Sequence, residues 1–348
     1  KYEKSELELM TTYQLREICR REKIMNGVIH PLDKEELIQT IMRYMGKRQD
    51  FFICDKKKGG EERVEEFLKK TRIVIKPCKE LYCQSQILAY EGLSIEYYDG
   101  YTIPYKKELA GTNAFLIGSD KTLCAILNLK EHGGKQEKLY LTKAAELETR
   151  ETQRKDYRIF CMGRQNSECM YHLYYGEQTI LPEHIEVYSI PLIDFVVRKP
   201  VTLMLPMAID FGSVNTTAGV YLDSAYFEHV GQQAAIKNCR ENEINYTVFE
   251  DGAGESMLLP SVIGVLAVEE EDDKLLFGYD AIRLANASYV DEGFCVFYDV
   301  KRWIGEYDKE EEIVDRQGRR RLVKRAEILR RFFLYIIRKT ENRFKCRI

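Results

Sequence analysis

The stretch that most constrains this chain is Ala208-Ile209-Asp210-Phe211-Gly212-Ser213-Val214-Asn215-Thr216-Thr217-Ala218-Gly219-Val220-Tyr221-Leu222. An apolar run ends in Asp-Phe-Gly-Ser, a small hydroxyl-rich turn follows, and a second apolar run returns. That order predicts a strand, a tight turn and a returning strand. Gly212 lets the backbone approach a ligand, and the N–H groups of such a turn can face phosphate oxygens. Asp210 stands at the mouth of the turn, where a carboxylate can hold a hydrated divalent ion. Taken alone, the same residues also describe an ordinary hairpin with a Gly in its turn.

The chain has 348 residues, enough for two or three domains. Its net charge of -3 gives no global pull toward nucleic acid or membrane. No apolar run approaches the length of a membrane span, so no membrane partner is expected. Ten Cys are scattered without paired spacing and read as the reduced thiols of a cytoplasmic protein. Cys161, Cys169, His172 and His184 lack the tight Cys-x-x-Cys knuckle of a zinc site and read as buried thiols and surface histidine. The opening Lys1-Tyr2-Glu3-Lys4 has neither an initiator Met nor an apolar signal region, which predicts a fragment of a longer protein.

Three regions follow from the patterning: 1–50, 51–200 and 201–348. In the first, Thr11 and Thr12 can cap a helix carrying Leu15, Ile18 and Cys19 on one face, which Asn26-Gly27 stops. Asp33-Lys34-Glu35-Glu36 has the form of a capping box before a second helix through Leu37, Ile38, Ile41, Met42 and Met45, ending at Gly46. Lys56 to Glu62 reads as a charged linker, with a short helix over 62–70 after it. From Arg72 to about residue 200 short period-two runs predict a mostly antiparallel β domain. Hairpins are expected at Asp99-Gly100 and at Gly118-Ser119-Asp120, and further strands over 157–160, 170–175 and 185–188. No catalytic constellation is visible there. A long helix is predicted from about Arg325. Residues 319–348 hold twelve Lys/Arg against two Glu, and the expected arrangement packs the apolar side on a sheet and solvates the basic side.

Residues 8–46, with Leu-Arg-x-x-Cys early and Lys-Glu-Glu-Leu-Ile late, resemble a SAP-type motif, which implies DNA as a partner. Against that, residues 1–50 hold ten Lys/Arg and nine Asp/Glu, so only Arg16, Arg20, Arg21 and Lys23 could form a basic face. A protein-docking module of two helices is the alternative.

Residues 206–348 carry a stronger resemblance. The Asp210–Asn215 turn is followed in order by Leu258-Leu259-Pro260-Ser261-Val262, by Gly278-Tyr279-Asp280-Ala281 opening a helix, and by Phe297-Tyr298-Asp299-Val300-Lys301-Arg302-Trp303-Ile304-Gly305. The four pieces resemble, in order and spacing, the first lobe of the heat-shock 70 kDa (DnaK-type) chaperones, members of the actin-like ATPases. The resemblance implies ATP and Mg²⁺ as cofactors and a protein client or co-chaperone as partner. It implies a catalytic role for Lys301 at the γ-phosphate, with Ser213 beside it. Gly212, Ser213, Val214 and Asn215 are implied to surround the phosphates, and Asp210 to hold Mg²⁺ through water. Ser213-Val214 departs from the family's Thr-Thr, so Val214 offers a backbone N–H and no hydroxyl. The family's second phosphate loop, Asp-x-Gly-Gly-Gly-x-x-Asp, and its adenosine-binding Gly-Gly segment do not occur in these 348 residues, which implies a half-site that binds ATP poorly or not at all and is inactive by itself.

The expected fold class is thus mixed, α/β and α+β, in several domains: a helix-loop-helix, a β-rich domain and a partial actin-like (ribonuclease H-like) lobe. The expected function is that of a DnaK-like ATPase with recognition modules attached. A non-catalytic nucleotide-sensing scaffold, or a DNA-tethered binding protein, is the alternative.

Overall fold

The computed structural model describes residues 2, 4–22, 32–45, 50–83, 85–133, 136–204, 206–231, 233–250, 254–270, 272–287, 295–315 and 317–348. It is a mixed α/β structure that divides into two compact units. Each collects stretches that are distant in sequence. The first holds Lys1–Arg48, Leu205–Tyr221 and Ile244–Thr340; the second holds Gln49–Met204, Leu222–Glu243 and Glu341–Ile348.

The N-terminal helices are α1 (Lys4–Glu8), α2 (Thr12–Arg21) and α3 (Lys34–Met45). Thr11 and Gln14 form a reciprocal cap on α2. Asp33 and Glu36 do the same for α3, each side chain accepting the other's backbone N–H at 2.9 Å. Two orphan donors are thereby satisfied at each helix start. Leu7, Leu15, Ile18, Cys19, Leu37 and Ile41 close a small core of their own. Helix α2 ends earlier than expected, at Arg21 with Glu22 as its C-cap; Asn26-Gly27, the expected stop at Gly46 and the loop through His30-Pro31 lie outside the described residues.

The second unit is built on a seven-stranded sheet. Helix α4 (Gly60–Lys70) leads into β1 (Arg72–Ile75). Then come β2 (Ile87–Tyr90), β3 (Thr102–Pro104), β4 (Asn113–Gly118), β5 (Leu123–Lys130), β6 (Lys138–Thr142) and β7 (Tyr157–Cys161). After α5 (Arg164–Tyr175) follow β8 (His184–Leu192), β9 (Phe195–Arg198) and β10 (Val201–Thr202). The sheet order is β1-β8-β7-β4-β5-β6-β3, antiparallel except for β1 with β8. Alternation along β4 sends Ala114 and Leu116 to one core and Phe115 and Ile117 to the other. A strand buried on both faces reads as a continuous apolar run, as β4 does. Helices α4 and α5 cover the second face through Val64, Leu68, Met170 and Tyr174.

Three expectations for this unit are corrected. Residues 170–175 are helix, not strand: Met170, Tyr171 and Tyr174 form one buried stripe at helical spacing, and Gly176, at φ 72°, closes the C-terminus. Asp99-Gly100 is not a hairpin turn. Tyr97–Asp99 is one 3₁₀ turn capped by Gly100 at φ 79°, and β3 pairs instead with β6. The helix read from Glu62 opens at Gly60, whose missing side chain makes room for the Tyr174 ring. The hairpin at Gly118-Ser119-Asp120 forms as expected between β4 and β5.

Back in the first unit, β11 (Met207–Phe211) and β12 (Asn215–Leu222) form the antiparallel hairpin. Helix α6 (Ser224–Val230), in the second unit, follows, then β13 (Glu243–Tyr246) and the small hairpin β14 (Phe249–Glu250) with β15 (Glu255–Ser256). Strands β16 (Leu259–Pro260), β17 (Ile263–Ala267) and β18 (Lys274–Phe277) lead to α7 (Tyr279–Ala287) and β19 (Val296–Phe297). The hairpin β20 (Glu310–Val314) with β21 (Arg320–Lys324) precedes the long helix α8 (Arg325–Phe344), and β22 (Cys346–Arg347) pairs with β10. Strands β11, β12 and β13 lie side by side with β16 also on β12, and β17 pairs with both β18 and β19. Ile328, Leu329, Phe332 and Ile336 of α8 form the stripe on which Ala218, Ile263, Val265 and Trp303 pack.

Among the described residues no helix is long and apolar enough to cross a membrane. The basic run before and within α8 is largely neutralised: Arg319, Arg320, Arg321, Arg325, Arg330 and Arg331 each pair with an Asp or Glu.

Lys143, beside β6 in the second unit, is 2% exposed and donates to the Ala144 carbonyl. Burial pushes its ammonium down to about 8. The folded state releases this proton near pH 8, while the unfolded chain keeps it to about 10.4. Stability contributed at this site therefore rises with pH between those values. In the upper part of that window buried thiols act oppositely, because burial pushes Cys124 and Cys346 up to about 12. Lys143→Met isolates the lysine. It is expected to be more stable than wild type by roughly 2 kcal/mol at pH 7, with the difference shrinking toward pH 10.5, as read from urea midpoints across pH.

Candidate functional site

The turn between β11 and β12 is closed by the Gly212 N–H on the Asn215 carbonyl at 3.1 Å. Gly212 is needed for closeness and not for an unusual φ: a Cβ there would lie 2.3 Å from the Asn215 carbonyl oxygen. The loop's inward carbonyls are consumed by one residue. Ser261 is fully buried; its N–H donates to Val214 O at 2.8 Å and its hydroxyl to Gly212 O at 2.8 Å. The Ser261 hydroxyl has a single proton, so the Thr216 hydroxyl, 2.9 Å away and also fully buried, is the donor of their shared bond. Ser213 and Val214 are exposed, and among the described residues their N–H groups have no partner.

A cleft of about 550 Å³ opens beside this turn, within the first unit. Ser213, Val214 and Asn215 line one side and Pro260, Ser261 and Val262 another. Ile282 of α7 and Tyr298, Asp299 and Arg302 complete it. That volume lies in the range of small-ligand sites. The four stretches singled out in the sequence, up to 90 residues apart, thus meet around one opening.

Residues 298–302 are positioned by a 3₁₀ turn, Val300–Glu306, in which Val300 and Trp303 are buried one turn apart. Trp303 packs on Phe297 with centroids 4.9 Å apart. Asp299 precedes the turn as its N-cap, its carbonyl accepts the Arg302 N–H at 3.2 Å, and Arg302 Nε lies 2.5 Å from Asp299 Oδ2 as an ion pair. The other oxygen, Asp299 Oδ1, is buried and has no hydrogen-bond partner. Asp299 itself adopts a left-handed conformation, φ 54°, which is sparsely populated by side chains other than Asn and Asp.

Of the residues anticipated from sequence, Ser213, Val214 and Asn215 line the cleft, and Gly212 closes the turn beneath them. Asp210 is exposed on β11 opposite Thr217 and is not among the lining residues. Lys301 is exposed, is not among the lining residues, and makes no ion pair among the described residues. Ser261, Tyr298, Asp299 and Arg302 were not anticipated as site residues, although each lies inside a stretch that was. No local pattern marked them: Ser261 becomes a site residue through its burial against the turn, and residues 298–302 through the burial of Val300 and Trp303.

In the N-terminal module, Arg20 pairs with Glu17 at 3.2 Å and Arg21 with Glu22 at 3.3 Å, so two of the four cations expected to face DNA are shared with carboxylates; Lys23 lies outside the described residues. In the second unit His172 bonds Glu177 at 2.6 Å. No group of three or more His, Cys, Asp or Glu able to hold a metal occurs among the described residues.

Compared with known proteins, the chain matches no family model and no curated protein.

Ser261→Ala is expected to lower stability by about 1–3 kcal/mol by orphaning the buried Thr216 hydroxyl and Gly212 carbonyl. The measurement is the urea midpoint at unchanged denaturant slope. Gly212→Ala is expected to prevent the turn from closing, seen as loss of amide-exchange protection at Gly212 and Ser261.

Proposed function

We propose that residues 206–348 form a nucleotide-phosphate-binding lobe of the DnaK type, and that the chain serves an ATPase whose N-terminal helices and β-rich unit recognise a protein client or co-chaperone. The observation that carries this reading is the meeting of four separated stretches around a cleft whose turn offers the unpartnered Ser213 and Val214 N–H groups. Backbone donors of that kind, on a turn whose Gly212 and Val214 carbonyls are taken by Ser261, suit phosphate oxygens.

In the hydrolysis proposed, water attacks the γ-phosphorus, the bond from that phosphorus to the bridging oxygen breaks, and ADP and phosphate leave. Lys301, beside the lining residue Arg302, would steady charge on the transferring phosphoryl group. Mg²⁺ bound with ATP would neutralise phosphate charge; the carboxylates weighed for that role are Asp299, a lining residue with one buried oxygen lacking a hydrogen-bond partner, and Asp210, exposed on β11 outside the lining.

A second reading, a nucleotide sensor without turnover, is favoured by one observation: Arg302 lines the cleft and Lys301 does not. Single-turnover hydrolysis and calorimetry with Mg-ATP separate the two in the intact protein. As an ATPase, Lys301→Ala should lose about 10²-fold in turnover and keep ATP affinity within about 3-fold. Tight binding without hydrolysis in the wild type selects the sensor. Absence of ATP binding in the wild type removes both.

A further inference from the structure

Two positively charged neighbours and two carboxylates compete for the charged roles at this cleft, and their placement differs. Lys301 and Asp210 are exposed and lie outside the lining. Arg302 and Asp299 line it and hold each other at 2.5 Å. We infer that the working charges of the cleft are the Asp299–Arg302 pair, which a phosphate ligand opens: Arg302 moves from Asp299 to phosphate oxygens, and the freed Asp299 carboxylate takes the accompanying divalent cation. This inference rests on the nucleotide reading and assigns residues within it.

Three observations support the exchange. Arg302 is 86% exposed, so its bond to Asp299 is solvated and weak. A planar guanidinium can grip phosphate with two parallel N–H bonds, which a lysine cannot. Asp299 Oδ1 is buried without a partner beside the opening, and a buried carboxylate oxygen left unbonded is unfavourable unless a donor or cation reaches it. One carboxylate is sufficient for this cation, because Mg²⁺ commonly takes one or two carboxylates, several waters and the phosphates of its substrate. The left-handed backbone at Asp299 fits the same role. It is a conformation retained where the surroundings fix it, and such positions gather at ligand clamps.

The test is ATP binding by the intact protein, by calorimetry with Mg²⁺ and again with EDTA. Arg302→Ala should weaken binding about 10-fold or more under both conditions. Asp299→Asn should keep the affinity seen in EDTA and remove the gain that Mg²⁺ confers. Asn tolerates the left-handed backbone and Arg302 is exposed, so both variants should fold, which an unchanged melting temperature verifies. The inference is overturned if Asp210→Asn, and not Asp299→Asn, removes the Mg²⁺ gain. It is also overturned if Lys301→Ala weakens binding more than Arg302→Ala does. A wild type that binds ATP under neither condition overturns the nucleotide reading and this assignment with it. A wild type that binds, loses binding in Gly212→Ala and is indifferent to Arg302→Ala and Asp299→Asn overturns this assignment alone.

Discussion

One buried serine decides which way the turn at Gly212–Asn215 faces. Ser261 spends its N–H on Val214 O and its hydroxyl proton on Gly212 O, and receives the Thr216 hydroxyl. Each of these neutral bonds is worth only about 1 kcal/mol net. Their importance is directional: the Gly212 and Val214 carbonyls are drawn inward, so the trans peptides that carry them turn the Ser213 and Asn215 N–H groups the opposite way. A turn of the same length without that seam could present either edge of its peptides. The approach of Gly212 to the Asn215 carbonyl leaves no volume for a side chain, so the turn and the seam specify each other.

The seam is held in place by packing that is distant in sequence. Phe211, just before the turn, meets Phe333 at 5.1 Å and Phe332 at 5.9 Å on α8. Phe332 also meets Phe277 at the end of β18. One helix thus supports both the strand that enters the turn and the strand that leads to α7. On the cleft's other wall, Arg325 lies over the Trp303 ring at 5.4 Å and reaches Glu311 and Glu306 at 2.5 Å. These contacts fix the 3₁₀ turn, and the Arg302 N–H on the carbonyl of its N-cap, Asp299, keeps those two residues together while Lys301, between them, is exposed.

What could be read from the sequence follows the range of the interactions involved. The caps at Thr11 and Asp33, the β4–β5 hairpin and the β11–β12 hairpin depend on residues within a few positions of one another, and all were legible. The Met170–Tyr175 segment was misread because three Tyr in six residues have strand propensity, while Gly163 and Gly176 bound a helix whose buried face is set by the sheet beneath it. Asp99-Gly100 carried a genuine turn signal, but the partner of β3 is β6, beyond two intervening strands. The cleft was half legible for the same reason. The turn residues announce themselves locally, whereas Asp299 and Arg302 become site residues only through the burial of Val300 and Trp303.

Charge distribution sharpens the same distinction. Six arginines between 319 and 331 have acidic partners drawn from 272–273, 306–315 and Glu327. Asp315, whose carboxylate is held low by backbone N–H groups and Arg319 although burial opposes it, is 1% exposed and fixed. A pair of that kind gives nothing up to an incoming anion, because releasing its arginine would strand a buried carboxylate. The Asp299–Arg302 pair differs in both members: its arginine is almost fully solvated, and its carboxylate already has an oxygen without a partner. Exchange there strands nothing if a cation enters with the anion. On the proposed reading, anion and cation would bind the cleft together, at the exposed Asp299–Arg302 ion pair that lines it with Ser213 and Val214.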